Sequence, residues 1–190
     1  MRAVGNSTRG VFDPTTRLMH WLTAGLMLCV FVLAFSIDLA TSRAAHTALL
    51  QLHRSVGLTV WLLSTFRLAW RHFAKYPDWP DEMSPTMRVA AVATEYSLYA
   101  LLLAQPILGL LQTNAHGDLV NLFFVGKLPA LIGKDPLLAH ALLTVHKAVG
   151  LTLLALIVLH VSAALFHHLW RRDDTLAAML PAAAGWRRDV

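Results

Sequence analysis

The residues of this chain best suited to chemistry are histidines, and a short internal repeat contains two of them. The segment HRSVGLT at 53–59 returns as HKAVGLT at 146–152, with five of seven positions identical. Each histidine is followed four residues later by a glycine, Gly57 or Gly150, which on a helix lies one turn away on the same face. A missing side chain at that position leaves a flat slot beside the imidazole, and a planar macrocycle can use such a slot.

Two further histidines lie at matching depths. His160 follows His146 by fourteen residues, which on a helix returns to nearly the same face about 21 Å further along. His20 is predicted to lie at the depth of His160, and His53 at the depth of His146. We therefore expect two pairs, His53 with His146 near the outer side of a membrane and His20 with His160 near the inner side. A pair of facing neutral imidazoles inside an apolar bundle is the bis-histidine ligation of a b-type haem, so two such haems are predicted.

Basic side chains suited to neutralising haem propionates accompany these histidines. Three of them adjoin a predicted ligand or precede one by about a turn: Arg17, Arg54 and Lys147. Arg67 follows His53 by fourteen residues, as His160 follows His146. Arg67 is therefore predicted to serve the inner haem in the same way.

Other roles for these side chains stay open at this point. A single histidine near a helix end is more often a hydrogen-bonded structural residue than a ligand, whereas zinc requires three or four ligands at one depth. His140 is a reserve ligand. We expect His167 and His168 to be interfacial residues, and Glu95 to be either a proton relay or a carboxylate hydrogen-bonded to a neighbouring helix.

The chain that must position these residues is strongly apolar. Of its 190 residues, 56% are hydrophobic and 14% are charged, whereas a soluble domain carries about 25% charged residues. About 20 apolar residues cross the hydrocarbon core, and four apolar blocks lie at about residues 18–37, 53–70, 89–111 and 140–170. We expect an all-α integral membrane protein, an up-down-up-down four-helix bundle with one domain at 1–172 and a cytoplasmic tail at 173–190. A cleaved signal peptide is the competing interpretation of the first block, but no A-x-A-like site follows it.

The distribution of charge predicts the orientation. Eleven of the 16 lysine and arginine residues lie on one predicted side and five on the other, so the positive-inside rule places both termini in the cytoplasm. The five on the outer side are Arg43, Arg54, Lys127, Lys134 and Lys147. Pairing with anionic membrane lipid accounts for the net charge of +5, and no nucleic-acid-binding motif is present. The single cysteine, Cys29, excludes a cysteine-ligated iron–sulfur cluster and a c-type haem attachment motif.

The third loop, at 113–139, is the longest predicted connection and is rich in glycine and proline. Within it, the apolar stretch 119–125 is predicted to lie in the membrane interface as a short helix.

These motifs resemble those of the bacterial cytochrome b561 family of four-helix, di-haem inner-membrane proteins. The resemblance covers about residues 12–172 and is carried by RxxHW at 17–21, HRxxG at 53–57 and HKxxG at 146–150 together with His160. It implies two haems b and electron exchange with ubiquinone. For members of this size it also implies oxidation of superoxide at the outer face with reduction of ubiquinone.

Two functional hypotheses follow from this resemblance. The first is a superoxide:ubiquinone oxidoreductase of the bacterial inner membrane, in which the basic outer rim attracts superoxide. Lys127 and Lys134 are the candidates there for lining a substrate site. The second is an electron-transfer subunit that passes quinol electrons to a separate redox partner protein. A membrane protein without a cofactor is poorly compatible with four histidines at matched depths.

Overall fold

The computed structural model describes residues 11–74, 76–77, 79 and 83–180, and most of them are helical. Four long helices follow one another in the chain: α1 (Pro14–Ile37), α2 (Arg43–Trp70), α3 (Pro85–His116) and α4 (Pro136–Phe166). Two short strands, β1 (Asn121–Leu122) and β2 (Gly126–Lys127), lie between α3 and α4. A π-helical turn, His167–Arg171, continues α4, and a 3-10 turn, Ala177–Met179, follows it. Residues 1–10 of the predicted domain and 181–190 of the predicted tail lie outside the described residues, as do five of the basic residues used to predict orientation: Arg2, Arg9, Lys75, Arg187 and Arg188.

The helices begin four to ten residues before the predicted apolar blocks, because each begins directly after a capping side chain. Asp13, Ser84 and Asp135 cap α1, α3 and α4, each accepting a backbone N–H of the first turn, and a proline follows each cap. Such prolines suit the first helical position because the proline nitrogen has no hydrogen to leave unpaired. Ser42 caps α2 in the same way by accepting from the Ala45 amide. The predicted starts at 18, 53, 89 and 140 are therefore wrong, although the ends predicted for α1 and α2 agree with the structure.

Consecutive helices pack against each other in opposite directions. The carboxyl-terminal part of α2 reaches the start of α1 through Arg67 and His20, and it reaches the first half of α3 through Arg71 and Glu95. Two ends are thus defined. The tail end holds the start of α1, the end of α2 and residues 173–180, and the hairpin end holds β1 and β2.

Among the described residues, three helical segments are long and apolar enough to cross a membrane: α1, α3 and the continuous helix Pro136–Arg171. Helix α2 has sufficient length at 28 residues, but its histidines and arginines make it less apolar. In its later turns these polar side chains are directed at the rest of the protein, since the Arg54 side chain is only 10% exposed and Arg67 contacts His20, whereas Arg43 and His46 are exposed in its first turns.

The buried core is a layer to which each long helix contributes one residue. Met27, Val60, Leu102 and Leu153 pack together there. Leu153 lies midway between His146 and His160 in the sequence. The core therefore separates two levels of the protein, each marked by one histidine of α4.

The apolar stretch of the third loop forms a β-hairpin rather than the predicted interfacial helix. Strand β1 pairs antiparallel with β2, and Phe123 and Phe124 turn the chain with positive φ angles of 47° and 63°. Two backbone amides of this hairpin donate to side chains of α2, Asn121 to Gln51 and Phe123 to Ser55. These acceptors on α2 hold the hairpin against that helix and satisfy amides that lie outside the strand pairing.

Residues 173–180 return to the start of α1. Arg17 donates to the Leu180 carbonyl at 2.9 Å, and the Trp21 indole donates to the Met179 carbonyl at 2.8 Å. His167 is buried, with Nδ1 2.5 Å from a carboxylate oxygen of Asp173, so the prediction of an interfacial His167 is wrong. Burial tends to raise the pKa of Asp173, but hydrogen bonds with Thr175 and His167 outweigh it and lower that pKa below its usual 3.8.

Candidate functional site

Two histidines meet at the level nearer the hairpin end. His53 of α2 and His146 of α4 have ring centres 6.3 Å apart, with their planes inclined by 78°. His53 Nδ1 lies 3.0 Å from the Val30 carbonyl oxygen. Donation to that carbonyl fixes the ring and leaves Nε2 unprotonated, the arrangement that metal-binding imidazoles commonly use. His146 Nδ1 is buried and has no hydrogen-bond partner among the described residues.

A second pair lies nearer the tail end. His20 of α1 and His160 of α4 also have ring centres 6.3 Å apart, with an interplanar angle of 55°. A terminal guanidinium nitrogen of Arg67 lies 3.0 Å from His20 Nδ1. Arginine only donates hydrogen bonds, so Nδ1 accepts in this contact and a neutral His20 carries its proton on Nε2. Nε2 would be free to bind iron only once Arg67 leaves Nδ1, a movement that would also release the guanidinium to pair with a propionate. The structure thus brings together both predicted pairs.

The spacing within each pair fits a single metal ion between two imidazoles. A bond between a metal and an imidazole nitrogen is about 2.0–2.1 Å long, so two imidazoles on opposite sides of one metal have ring centres roughly 6 Å apart. Both pairs have this separation. The four histidines therefore fit bis-histidine ligation of haem iron at two levels.

The two glycines of the repeat have different surroundings. A Cβ atom on Gly57 would meet nothing within 4 Å, so there is open space at that point of α2. A Cβ atom on Gly150 would lie 2.9 Å from the amide nitrogen of Gln105 on α3. The predicted slot for a macrocycle thus corresponds to free space at Gly57, whereas at Gly150 the side chain of Gln105 takes it.

Helix α3 supports His146 in a way that the sequence analysis missed. Gln105 donates from its amide nitrogen to the His146 carbonyl at 2.8 Å. A Cβ atom on Gly109 would lie 3.0 Å from His146 Cε1, closer than ordinary contact allows. A glycine in a helix costs about 1 kcal/mol relative to alanine. Such a glycine in the third apolar block is the signal that could have identified this contact.

The predicted propionate partners differ in what they contact. The Nε atoms of Arg17 and Arg67 are buried without a hydrogen-bond partner among the described residues. Each of these N–H groups suits a carboxylate such as a haem propionate. At the hairpin end, Arg54 lies 3.7 Å from a carboxylate oxygen of Asp118, and Lys147 is exposed.

Polar side chains also gather at the tail end around Arg71. Its guanidinium pairs with Glu95 and lies 4.9 Å and 5.0 Å from the ring centres of Tyr76 and Tyr96. The sequence left two roles open for Glu95, a proton relay or a carboxylate bonded to a neighbouring helix. The structure shows the second, because Glu95 of α3 pairs with Arg71 at the end of α2.

The remaining candidates lie at the hairpin end. Lys127 is exposed on β2. Lys134 and His140 both line a cavity between α3 and α4. The ring that faces His53 is that of His146, so His140, the reserve ligand, lies away from that pair.

Comparison with known proteins gives consistent matches over most of the chain. The family model for prokaryotic cytochrome b561 matches residues 11–182. Cytochrome b561 homolog 2 of Escherichia coli (strain K12) is 30% identical over 162 residues, covering 85% of this chain and 86% of that protein. Cytochrome b561 homolog 1 of the same organism is 28% identical over 175 residues, covering 90% and 97%. A protein of Yersinia pestis named probable superoxide oxidase CybB is 27% identical over 171 residues, covering 88% and 94%.

Proposed function

Because this chain belongs to the prokaryotic cytochrome b561 family, whose members are haem b-binding electron-transfer proteins of the membrane, we propose that it is a superoxide:ubiquinone oxidoreductase with two haems b. The observation that carries this proposal is the presence of two histidine pairs with the same 6.3 Å separation at two levels of the protein. His53 and His146 would hold one haem, and His20 and His160 the other.

The proposed arrangement in the inner membrane is an up-down-up-down bundle in which all four helices cross. Helix α2 can cross with the other three because Arg54 and Arg67 face protein rather than lipid. The excess of basic residues beside the tail end supports a cytoplasmic location for that end and for both termini. The hairpin end then faces the periplasm.

The proposed reaction balances without any further reactant. Two superoxide anions each lose one electron and become dioxygen, while one ubiquinone takes up the two electrons and two protons and becomes ubiquinol. Bound haem supplies the one-electron redox chemistry, and the protein supplies the ligands and tunes the potential. The name of the Yersinia pestis relative supports superoxide as the electron donor.

Charge at the hairpin end supports the approach of an anion. Lys127 and Lys147 are exposed there, whereas the charge of Arg54 is partly offset by Asp118, 3.7 Å away. A surface of one sign raises the association rate of small ions of the opposite sign, and salt screens the effect. Superoxide is a small anion that crosses lipid poorly, so it would reach the hairpin end from the periplasm.

The experiment begins with the purified protein carrying its haem. We expect two low-spin haems per chain, and ubiquinone-analogue reduction that depends on a superoxide source and is abolished by superoxide dismutase. At low salt, K127E should slow haem reduction by superoxide several-fold, whereas the charge-matched control R172E at the tail end should not. Two haems that accept quinol electrons but do not react with superoxide would refute the proposal and favour a subunit that serves a separate redox partner.

A further inference from the structure

The side chain of Gln105 on α3 uses its amide nitrogen and leaves its amide oxygen unused. The nitrogen donates to the His146 carbonyl at 2.8 Å, whereas the oxygen, Oε1, is buried without a hydrogen-bond partner among the described residues. The two atoms cannot be exchanged, because a carbonyl only accepts hydrogen bonds. Burial of such an oxygen costs free energy unless a donor reaches it. Gln105 therefore offers an acceptor of fixed identity at the contact between α3 and α4.

His146 offers the matching donor. Its Nδ1 is buried and, within the described part of the chain, also has no hydrogen-bond partner. A Cβ atom on Gly109 would lie 3.4 Å from Nδ1 and 3.9 Å from Nε2, so Nδ1 is the ring nitrogen nearer to α3. An imidazole that binds iron through Nε2 carries its proton on Nδ1, which then donates. Haem ligation by His146 thus requires an acceptor on the α3 side of the ring.

The unused acceptor and the unused donor lie at the same contact between two helices. Gln105 and Gly109 are four residues apart and share one face of α3, and His146 and Gly150 are related in the same way on α4. A Cβ atom on Gly150 would lie 2.9 Å from the Gln105 amide nitrogen, so this amide packs directly against α4 at the turn that holds the ligand. Buried waters in proteins bridge polar groups placed in this way.

The opposite ligand of the same pair already has such an acceptor. His53 Nδ1 lies 3.0 Å from the carbonyl oxygen of Val30 on α1. A hydrogen bond from Nδ1 makes an imidazole more basic. A more basic ligand stabilises ferric iron relative to ferrous iron and so lowers the midpoint potential of the haem. An acceptor beside His146 would give both ligands of the hairpin-end haem the same support, one from α1 and the other from α3.

We propose that Gln105 is a positioning residue for His146, whose Nδ1–H donates to Gln105 Oε1 through one buried water. The inference rests on haem ligation by His146 in the proposed function and adds the residue that tunes this haem. The amide nitrogen of Gln105 holds the α4 backbone at the ligand, and its oxygen orients the ring. Gln105 thereby lowers the midpoint potential of the hairpin-end haem and maintains the 78° angle between its two imidazole planes.

The test uses the purified holoprotein and Q105M, which removes both hydrogen-bonding groups while keeping the side-chain length. Loss of a partner of this kind should weaken binding of the hairpin-end haem about 10- to 100-fold, measured by competition with apomyoglobin. In the haem that stays bound, the midpoint potential should rise. Its g values in electron paramagnetic resonance should change as well, because they depend on the angle between the ligand planes. H146A identifies the haem concerned by removing it.

The matched control is Q112M, the same change two turns further along α3. Gln112 lines the cavity that also contains His140, so Q112M should leave the potentials and g values of both haems unchanged. A role of Gln105 in helix packing alone would lower the haem content without changing the potential or the g values of the haem that remains. If Q105M bound no haem, Q105N decides, since it withdraws the same amide by one methylene group and should also raise the potential.

Each contrary result has a distinct meaning. Wild-type affinity, potential and g values in Q105M, with the hairpin-end haem lost in H146A, would overturn the role of Gln105 and leave ligation by His146 standing. Equal shifts in Q105M and Q112M would overturn it by assigning the effect to the general polarity of α3. Two low-spin haems in H146A would overturn the ligation on which the inference rests. None of these measurements uses superoxide, so their outcome is independent of the proposed reaction.

Discussion

The contact between Gly109 and His146 gives the sharpest prediction about the candidate site. In G109A, the new Cβ would lie 3.0 Å from His146 Cε1, so the ring must recede by about 0.4 Å to regain an ordinary contact of 3.4 Å. Distances in a metal site are held to about 0.2 Å, so such a shift strains the bond from His146 to iron. Overpacking of this kind costs about 1–3 kcal/mol, which corresponds to haem binding about 5- to 150-fold weaker at the hairpin-end pair.

The folding effect of the same substitution has the opposite sign. Alanine is about 1 kcal/mol more favourable than glycine inside a helix, so the haem-free G109A protein should be as stable as the wild type or more so. The assay is haem quantification with a reduced-minus-oxidised spectrum and electron paramagnetic resonance of the ferric protein, which reports the spin state of each haem. G25A is the matched control, because a Cβ atom on Gly25 of α1 would meet nothing within 4 Å. Two fully bound low-spin haems in G109A would refute the argument that this missing side chain makes room for the ligand.

Three further predictions test other parts of the structure. H160A should reduce the haem content from two per chain to one while the spectrum of the hairpin-end haem persists; retention of both as low-spin haems would contradict the pairing of His160 with His20. S55A removes the acceptor of the Phe123 amide. Since a hydrogen bond contributes about 1 kcal/mol, hydrogen exchange at that amide should accelerate about 5- to 10-fold. Unchanged exchange would show that other contacts hold the hairpin. Because the pKa of Asp173 is lowered in the folded protein, its charge stabilises the docked segment 173–180 above pH 3.8, and this stabilisation is lost as the pH falls through the lower folded-state pKa. D173N should therefore increase proteolysis of 173–180 at pH 7 but not below the folded-state pKa. Equal cleavage of D173N and the wild type at pH 7 would argue against this role of Asp173.

The histidine pairs could be predicted from the sequence because helical periodicity converts spacing into depth. Fourteen residues between His146 and His160 fix two levels on one helix, and the repeat supplies His53 at one of them. This reasoning needs only the rise and rotation of an α-helix. It gives the two pairs that the structure brings to 6.3 Å.

The helix starts were predicted too late because apolar content was the criterion. An aspartate or serine followed by proline marks the start of α1, α3 and α4, as in Asp13-Pro14. That signal was present in the sequence and is independent of hydropathy. Helix starts in membrane proteins are therefore better predicted from such caps together with the apolar block.

Contacts between helices that are not related by the repeat could not be predicted. The spacing treats Gly57 and Gly150 as equivalent, yet Gln105 of α3 occupies the space beside Gly150 only. The return of residues 173–180 to Arg17 and Trp21 likewise depends on where α4 ends relative to α1. Periodicity describes one helix at a time, and these contacts depend on how the helices are placed around one another.

The layer formed by Met27, Val60, Leu102 and Leu153 lies between the two histidine pairs, and in the proposed orientation it has an energetic consequence. Packed apolar side chains oppose the passage of protons, whereas an electron can tunnel through them. An electron that crosses from the periplasmic level to the cytoplasmic level therefore moves its charge without a compensating proton, against a membrane potential that opposes a full crossing by about 2.3 kcal/mol per 100 mV. With one electron held at each level, a donor of single electrons can reduce an acceptor that needs two.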